Sequence, residues 1–526
     1  MAAGSPEPSR RRLQLGLRFR MRRVLKELRC VRKSADAEAV HDLRVAIRRC
    51  RSLAVVMEEV DGHRTWKAMK RLPRKLFRAL GALRDLQVLE AWVKQLTSAD
   101  DPLRAKLIKV LKDRQAEPQH QVRRAVRQFD QRAWDRLART VSARVRLVSP
   151  NGLTAQCLAL ERYEEFRRLH ARAMRTNTPV SWHALRVGLK RFRYTVEILL
   201  PERSAEWDES LGQIQGLLGE IHDLDVLRAR ITQESDGIDA RAAGSLRHTI
   251  GTKRRACLEQ YRQRTRGEDS LLREWRVGLP LGMAIAAATA ARLRTTARAM
   301  DPDPRQTAII SRLALLLFDG LATSGAEPRF GDEILRGFLS TAAQLHSIRV
   351  GGRQAARHKA ARDFLRALPV PLACKPGDWD LITHVVRYHR GAEPTPRHEQ
   401  FAQLSPEHQE RVRGLAGVLR LARGLRRCGV SLAAAALYVD ATAAYVRVRV
   451  AGVRDTEENA ARLAAAKHLL ERYLQRPLLI ELGKTTTSIY PLRLAHSSSR
   501  LRIPVGAGAG RVAQHIRPVA GKQRTG

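Results

Sequence analysis

The sequence predicts a mainly α protein: two pseudo-symmetric antiparallel four-helix bundles, then a helical domain that ends in a small α+β subdomain. Three observations carry this. First, residues 41–53 read HDLRVAIRRCRSL. At about 100° per residue, His41, Arg44, Arg48 and Arg51 form one narrow stripe, and Leu43, Ala46, Ile47, Cys50 and Leu53 lie opposite. Second, the arrangement returns at 183–196, HALRVGLKRFRYTV, where His183, Arg186, Lys190 and Arg193 repeat the spacing above Leu185, Leu189, Phe192 and Val196. Third, residues 81–92 (GALRDLQVLEAW) are echoed 138 residues later by 219–230 (GEIHDLDVLRAR), and the two histidines stand 142 apart. Near-constant offsets over two separate motifs mark an internal duplication.

In chain order, residues 1–12 (MAAGSPEPSRRR) have no apolar core and are expected to be disordered. Residues 13–266 are almost wholly helical in periodicity and few β-branched runs interrupt them. The Ser149–Pro150–Asn151–Gly152 break divides them into halves 13–149 and 153–266, each predicted to be one antiparallel bundle. Residues 267–282 are expected to be a linker. Helices continue from 283 to Leu425. Then 432–440 and 443–452 alternate like two strands around a turn at 440–442, 455–474 is a helix and 477–482 a third strand. The Gly-, Ser- and Arg-rich end, 494–526, is expected to be a basic disordered tail.

At 526 residues the chain exceeds a single core. Its 97 Lys and Arg against 53 Asp and Glu leave a formal charge of +44, which makes a polyanion the natural partner. Charge alone does not choose among nucleic acid, acidic lipid headgroups and inorganic polyphosphate. The six cysteines form no CxxC pair, so neither a structural zinc site nor a thioredoxin-like motif is indicated. The apolar run 281–291 is too short and alanine-rich to span a bilayer. No membrane insertion and a cytoplasmic location are expected.

The duplicated HDLRVAIRRCRSL/RDLQVL and HALRVGLKRFRY/HDLDVL text resembles the CHAD family, the conserved histidine α-helical domain, over about residues 10–266. The resemblance implies a pair of four-helix bundles with a basic central channel, and binding of inorganic polyphosphate without catalysis. Carried over by motif position, it implies His41, Arg44, Arg48, Arg51, His183, Arg186, Lys190 and Arg193 as polyphosphate contacts. The second copy has Ala184 where the first has Asp42, so any role of that acid is not duplicated. Residues at i, i+3, i+7 and i+10 climb one helix face in steps of roughly 5 Å. A rigid row of guanidinium groups suits a linear phosphate polymer, because arginine stays protonated and offers planar paired donors. Each of these side chains also has an ordinary reading, as a salt-bridged arginine or a satisfied structural histidine. Asp85 and Asp223 either orient arginines in the channel or form plain salt bridges. A metal site is not expected, since neither histidine has a second His or an acid at i+4.

Residues 339–349 (LSTAAQLHSIR), His358–Lys359, 385–390 (VVRYHR) and 415–423 (LAGVLRLAR), with the closing strand–helix–strand text, are similar to the C-terminal domain of exopolyphosphatase and guanosine pentaphosphate phosphatase enzymes. That likeness covers about 283–493 and implies an HD-like helical module followed by a small α+β piece. A metal-dependent HD phosphohydrolase needs adjacent His and Asp ligands and a distant Asp. Here Ser347 follows His346, Arg423 occupies the distal acid position, and Ala360 replaces a histidine. No metal, cofactor or catalysis is therefore expected. A second basic binding surface of His346, Arg349, His358, Lys359, Arg387, His389 and Arg390 is expected instead, or a packing module through which the chain forms an oligomer.

Three functions compete. A non-enzymatic polyphosphate-binding protein, docking on chains or granules and open to competition by other polyanions, is the first. A nucleic-acid-binding protein is weakened by only 5% aromatic residues, which leaves few stacking platforms. A phosphohydrolase acting on polyphosphate or a nucleotide is weakened by Ser347 and Arg423.

Overall fold

The computed structural model describes residues 6–233, 240–350, 357–430, 437–451 and 454–483. It divides into two compact units, 1–280 and 281–526.

The first unit is all helix: α1 (Pro6–Lys33), α2 (Ala37–Val60), α3 (Arg64–Arg71), α4 (Arg74–Leu96), α5 (Pro102–Asp113), α6 (Ala116–Gln128), α7 (Gln131–Arg144), α8 (Leu153–Thr176), α9 (Pro179–Leu199), α10 (Pro201–Gln233), α11 (Ala240–Thr265) and α12 (Leu271–Val277). α1 begins at Pro6, so helix reaches into the stretch 1–12 that was expected to be disordered. The packing order repeats. α1 lies on α2, α2 on α4 and α4 on α6; α8 lies on α9, α9 on α10 and α10 on α11. The two sets meet through α2 against α9, and α4 against α10 and α11.

Local chemistry sets the ends of the two key helices. Asp36 caps α2, its carboxylate accepting from the backbone N–H of Glu38 and Ala39. Thr178 caps α9 in a reciprocal pair with Ser181, and Pro179 opens the first turn. Both helices bury the apolar stripe read in the sequence: Leu43, Ile47, Cys50 and Leu53 on α2, and Leu185, Leu189, Phe192 and Val196 on α9. The duplication is imperfect at one place. Pro73 separates α3 from α4, whereas α10 runs unbroken for 33 residues through the equivalent position.

Residues 267–282 correct the expected linker. Ser270 caps α12, and Trp275 is fully buried with its ring 6.0 Å from Phe166 and 5.8 Å from Phe192. The Trp275 indole donates to Ser210 Oγ at 2.9 Å, and Tyr163 Oη donates to the Leu272 carbonyl at 2.8 Å. The segment is a core member of the first unit, and the division falls at Pro280. Its Leu271, Leu272, Trp275, Val277 and Leu279 are the compositional sign that separates it from a polar linker.

The second unit contains α13 (Met283–Met300), α14 (Pro304–Thr323), α15 (Glu333–Leu345), α16 (Arg357–Ala367), α17 (Pro376–Tyr388), α18 (Glu399–Ala402), α19 (Pro406–Arg427) and α20 (Glu457–Leu474). It also holds strands β1 (Leu437–Ala441), β2 (Val446–Ala451) and β3 (Leu478–Gly483). β1 pairs antiparallel with β2, with Val439 opposite Val448. β3 pairs parallel with β2, with Ile480 beside Val448, and α20 makes the crossover. The strand–helix–strand ending read from the sequence is present. α19 and α20 pack at very close range. A Cβ at Gly424 would stand 2.6 Å from the Ala466 Cβ, and one at Gly417 would stand 3.0 Å from the Leu470 backbone. α14 is the one helix among the described residues long and apolar enough to cross a membrane, and its Ile310, Leu313, Leu317, Phe318 and Leu321 pack into this unit's core. The expected tail, 494–526, lies outside the described residues.

Candidate anion-binding site

α2 and α9 lie against each other, so the two basic rows face one space. Arg44 Nη1 donates to Asp85 Oδ1 at 3.1 Å and to the Gly81 carbonyl at 3.4 Å, with the guanidinium 5.7 Å above the Phe77 ring. A Cβ at Gly81 would stand 3.8 Å from that guanidinium, an ordinary contact distance. Arg48 reaches across between the bundles: its Nη1 donates to Tyr194 Oη, on α9, at 3.3 Å.

The lower rungs turn aside. Arg51 donates to the Lys70 carbonyl at 2.9 Å and lies 4.9 Å over the Phe77 ring. Arg193 pairs with Asp208 at 3.1 Å. Lys70 and Asp208 are themselves 138 residues apart, so the duplication places the two arginines at matching stations. Arg51 and Arg193 are thus occupied by protein groups.

The centre holds Arg44, Arg48, Arg84, Arg186 and Lys190, with Asp85 and Asp223 as the carboxylates that act on them. Lys190 has no hydrogen bond or ion pair among the described residues. Burial, then the nearby Arg186, Arg48 and Arg44, push its ammonium down to about 6, and Asp223 only partly opposes this. Arg186 is lowered by the same forces, burial first, and its Nε is buried without a partner. Arg84 is lowered by burial and by Arg44. Asp223 is itself raised, because its burial outweighs the pull of Arg186 and Lys190. The cations outnumber their counterions in a half-buried space.

Three histidines border this cluster. His183 Nδ1 is 3.3 Å from His222 Nδ1, with ring centroids 4.6 Å apart. Burial, then Arg186, His183 and Lys190, hold His222 at about 4. His183 is lowered by burial, Arg186 and Lys190, and His41 by burial and then Arg84. Burial and the neighbouring cations favour the neutral form of all three. One ring of the His183–His222 pair spends its N–H on the other, which leaves His41 and the accepting ring of the pair able to donate an N–H to an anion. Among the described residues no group of three or more His, Cys, Asp or Glu side chains is placed to hold a metal ion.

Sequence reasoning missed Arg84, His222 and Tyr194. The first two were legible, because they occupy equivalent positions in the GALRD and GEIHD motifs, immediately before Asp85 and Asp223. Tyr194 gave no signal, since its role depends on the approach of α2.

In the second unit, the seven expected residues do not form one solvent-facing surface. His346, His358, Arg387 and His389 are buried, whereas Arg349 and Lys359 are exposed. The His346 and His389 rings stand 5.1 Å apart, edge to face, and His389 and His358 stand 6.3 Å apart. Burial pushes His346 down to about 4, with Arg423 and Arg390 adding to the effect. Ser347 Oγ lies 3.1 Å from His346 Nε2 and accepts from Thr307 Oγ1 at 2.7 Å. Thus His346, Ser347 and Arg423 share one locality, and it carries cations where a hydrolytic metal site needs carboxylates. Arg387 is turned onto the Tyr388 ring at 5.0 Å.

The family model of the CHAD domain matches residues 16–232. Those residues form a CHAD domain, and the two basic rows lie within it. Among solved structures, the CHAD domain from the plant Ricinus communis is matched at 22% identity, over 51% of this chain and 91% of that one, with a TM-score of 0.36. No curated protein matches the chain.

Proposed function

We propose that the protein binds inorganic polyphosphate, without turning it over, through the cation cluster between α2 and α9. The observation that carries this reading is the convergence of Arg44, Arg48, Arg84, Arg186 and Lys190 on one half-buried space in which Asp85 and Asp223 are the acting carboxylates. Burial and three guanidinium groups there push the Lys190 ammonium down to about 6. An anion supplies the missing counter-charge. A phosphate oxygen about 4 Å away at an effective dielectric near 20 contributes roughly 4 kcal/mol of attraction, equivalent to about three pKa units. That is enough to recharge Lys190 at neutral pH. Arg44, Arg48, Arg84, Arg186 and Lys190 then present successive cations to successive phosphates, and His41 and the accepting ring of the His183–His222 pair donate N–H bonds.

The second unit reads as a degenerate relative of the exopolyphosphatase-type C-terminal domain, with Ser347 and Arg423 in place of the acids that a metal would need. A cytoplasmic site of action on polyphosphate chains or granules fits this ligand.

The test is a competition titration at near-physiological salt. Labelled long-chain polyphosphate is bound and then challenged with duplex DNA, single-stranded RNA or heparin. Polyphosphate that resists displacement supports a shaped site. Equal displacement by nucleic acid overturns it in favour of general polyanion binding, since such binding is mainly counterion release. Metal-dependent phosphate release by the wild-type protein would overturn the non-catalytic reading.

A further inference from the structure

The second unit contains a cleft of about 570 Å³ where the end of α17 meets α19 and α20. Five guanidinium groups line it: Arg390, Arg420, Arg423, Arg427 and Arg462. His389, held neutral by burial and the nearby His346 and Arg423, also lines it, and Glu458, the one lining carboxylate, is already bonded to Arg462.

The arrangement is built rather than incidental. Arg420, Arg423 and Arg427 fall on one face of α19 at i, i+3 and i+7. Arg420 is fixed by three backbone carbonyls: Nε donates to Tyr388 O at 2.7 Å, and Nη2 to Gly391 O at 2.7 Å and Ala392 O at 2.9 Å. Arg423 has no hydrogen bond or ion pair among the described residues, and burial, then Arg390, Arg427 and Arg420, lower it to about 10. Ala461, Ala465 and Ala466 of α20 are the small residues opposite α19, which leaves the space open. The volume suits one small molecule. Five arginines around it call for a compact anion carrying several charges, and guanidinium pairs with phosphate oxygens in two-point fashion.

We propose that this cleft is a binding site for a compact phosphoanhydride group, a di- or triphosphate, either free or carried on a nucleoside. It is separate from the cation cluster of the first unit and does not depend on it.

The experiment uses the full chain with the first unit silenced by Arg48→Glu, Arg186→Glu and Lys190→Glu. Calorimetric titrations with tripolyphosphate and with ATP are each expected to show one equivalent bound. Matching affinities identify the anhydride as the recognised group, and tighter ATP binding assigns a contribution to the nucleoside on the small-residue wall. Adding Arg427→Glu, at the exposed rim, should weaken binding at least tenfold, and Arg423→Met should do the same from the buried side. Absence of binding in the silenced protein, binding unaffected by Arg427→Glu, or an equally tight response to sulfate overturns the proposal. None of these results bears on long-chain binding by the first unit, which is read with the wild-type rows intact.

Discussion

Lys190 concentrates the physical conflict in this molecule. An ammonium that is half-buried beside Arg186, Arg48 and Arg44 costs free energy in the unliganded protein. Its pKa is depressed in the folded state, so the unfolded chain binds the extra proton between about 6 and the ordinary lysine value. Stability of the free protein is therefore expected to rise as pH increases across that window and to fall as pH drops through about 6. Lys190→Met should flatten this dependence and raise the melting temperature at neutral pH, while weakening polyphosphate binding at least tenfold. Thermal melts from pH 5 to pH 10 check the first half of this and titration the second. Binding carries the opposite sign, because the anion raises the same pKa. Affinity should be greatest below about pH 6 and decline as pH rises through the bound-state value. Proton uptake on binding at pH 7, measured calorimetrically in buffers of different ionisation enthalpy, is the direct readout. A milder change tests the cross-bundle contact. Tyr194→Phe removes the acceptor of Arg48 Nη1 and should cost about 1 kcal/mol, near fivefold in affinity, with helicity unchanged.

Two elements decide where the units begin and how the cleft keeps its shape. α12 holds Trp275 between Phe166 and Phe192, with its indole bonded to Ser210. Trp275→Ala is expected to destabilise the first unit by about 3–5 kcal/mol, an effect no linker residue would have. Urea denaturation followed by far-ultraviolet circular dichroism measures it. In the second unit, α19 approaches α20 so closely that Gly424→Val must displace Ala466. Overpacking of this kind costs typically about 1–3 kcal/mol, and here it would also narrow the cleft beside Arg423. The loss of stability and the loss of tripolyphosphate binding should therefore appear together.

For the whole molecule, the excess of 97 basic over 53 acidic residues is distributed unevenly in what it does. Many arginines are absorbed by local carboxylates, as Arg144 is by Asp61 and Arg336 by Asp319. The two clusters described above are absorbed only in part: Arg44 pairs with Asp85 and Arg462 with Glu458, and the remaining cations there outnumber the carboxylates. If long-chain polyphosphate occupies the first unit alone, ligand at about 100 times its dissociation constant should add roughly 2.7 kcal/mol to that unit's stability. Differential scanning calorimetry should then show one transition shifted and the other unmoved. A ligand that raises both transitions would place polyphosphate on both units.

The sequence by itself determined the helical character, the duplication and the two basic rows, because these are periodic properties. An apolar stripe at helical spacing must be buried, and a basic stripe opposite it must face outward from its own bundle. It determined the strand–helix–strand ending for the same reason: the alternation in 443–452 can bury only one face of a sheet. It also made Arg84 and His222 recoverable, through the offset that aligns Asp85 with Asp223. Only the tertiary structure decided which rungs of the rows are available. Arg51 and Arg193 have the same spacing as Arg48 and Lys190, yet they are taken by Lys70 and Asp208, which lie on other helices. Likewise, His346, His358 and His389 read as part of an accessible basic surface, but the packing of three separate segments buries them. Of the three, His389 alone borders the cleft, whose cations are Arg390 and the arginines of α19 and α20. Periodicity tells which face of a helix a residue occupies; what meets that face depends on contacts between segments distant in the chain.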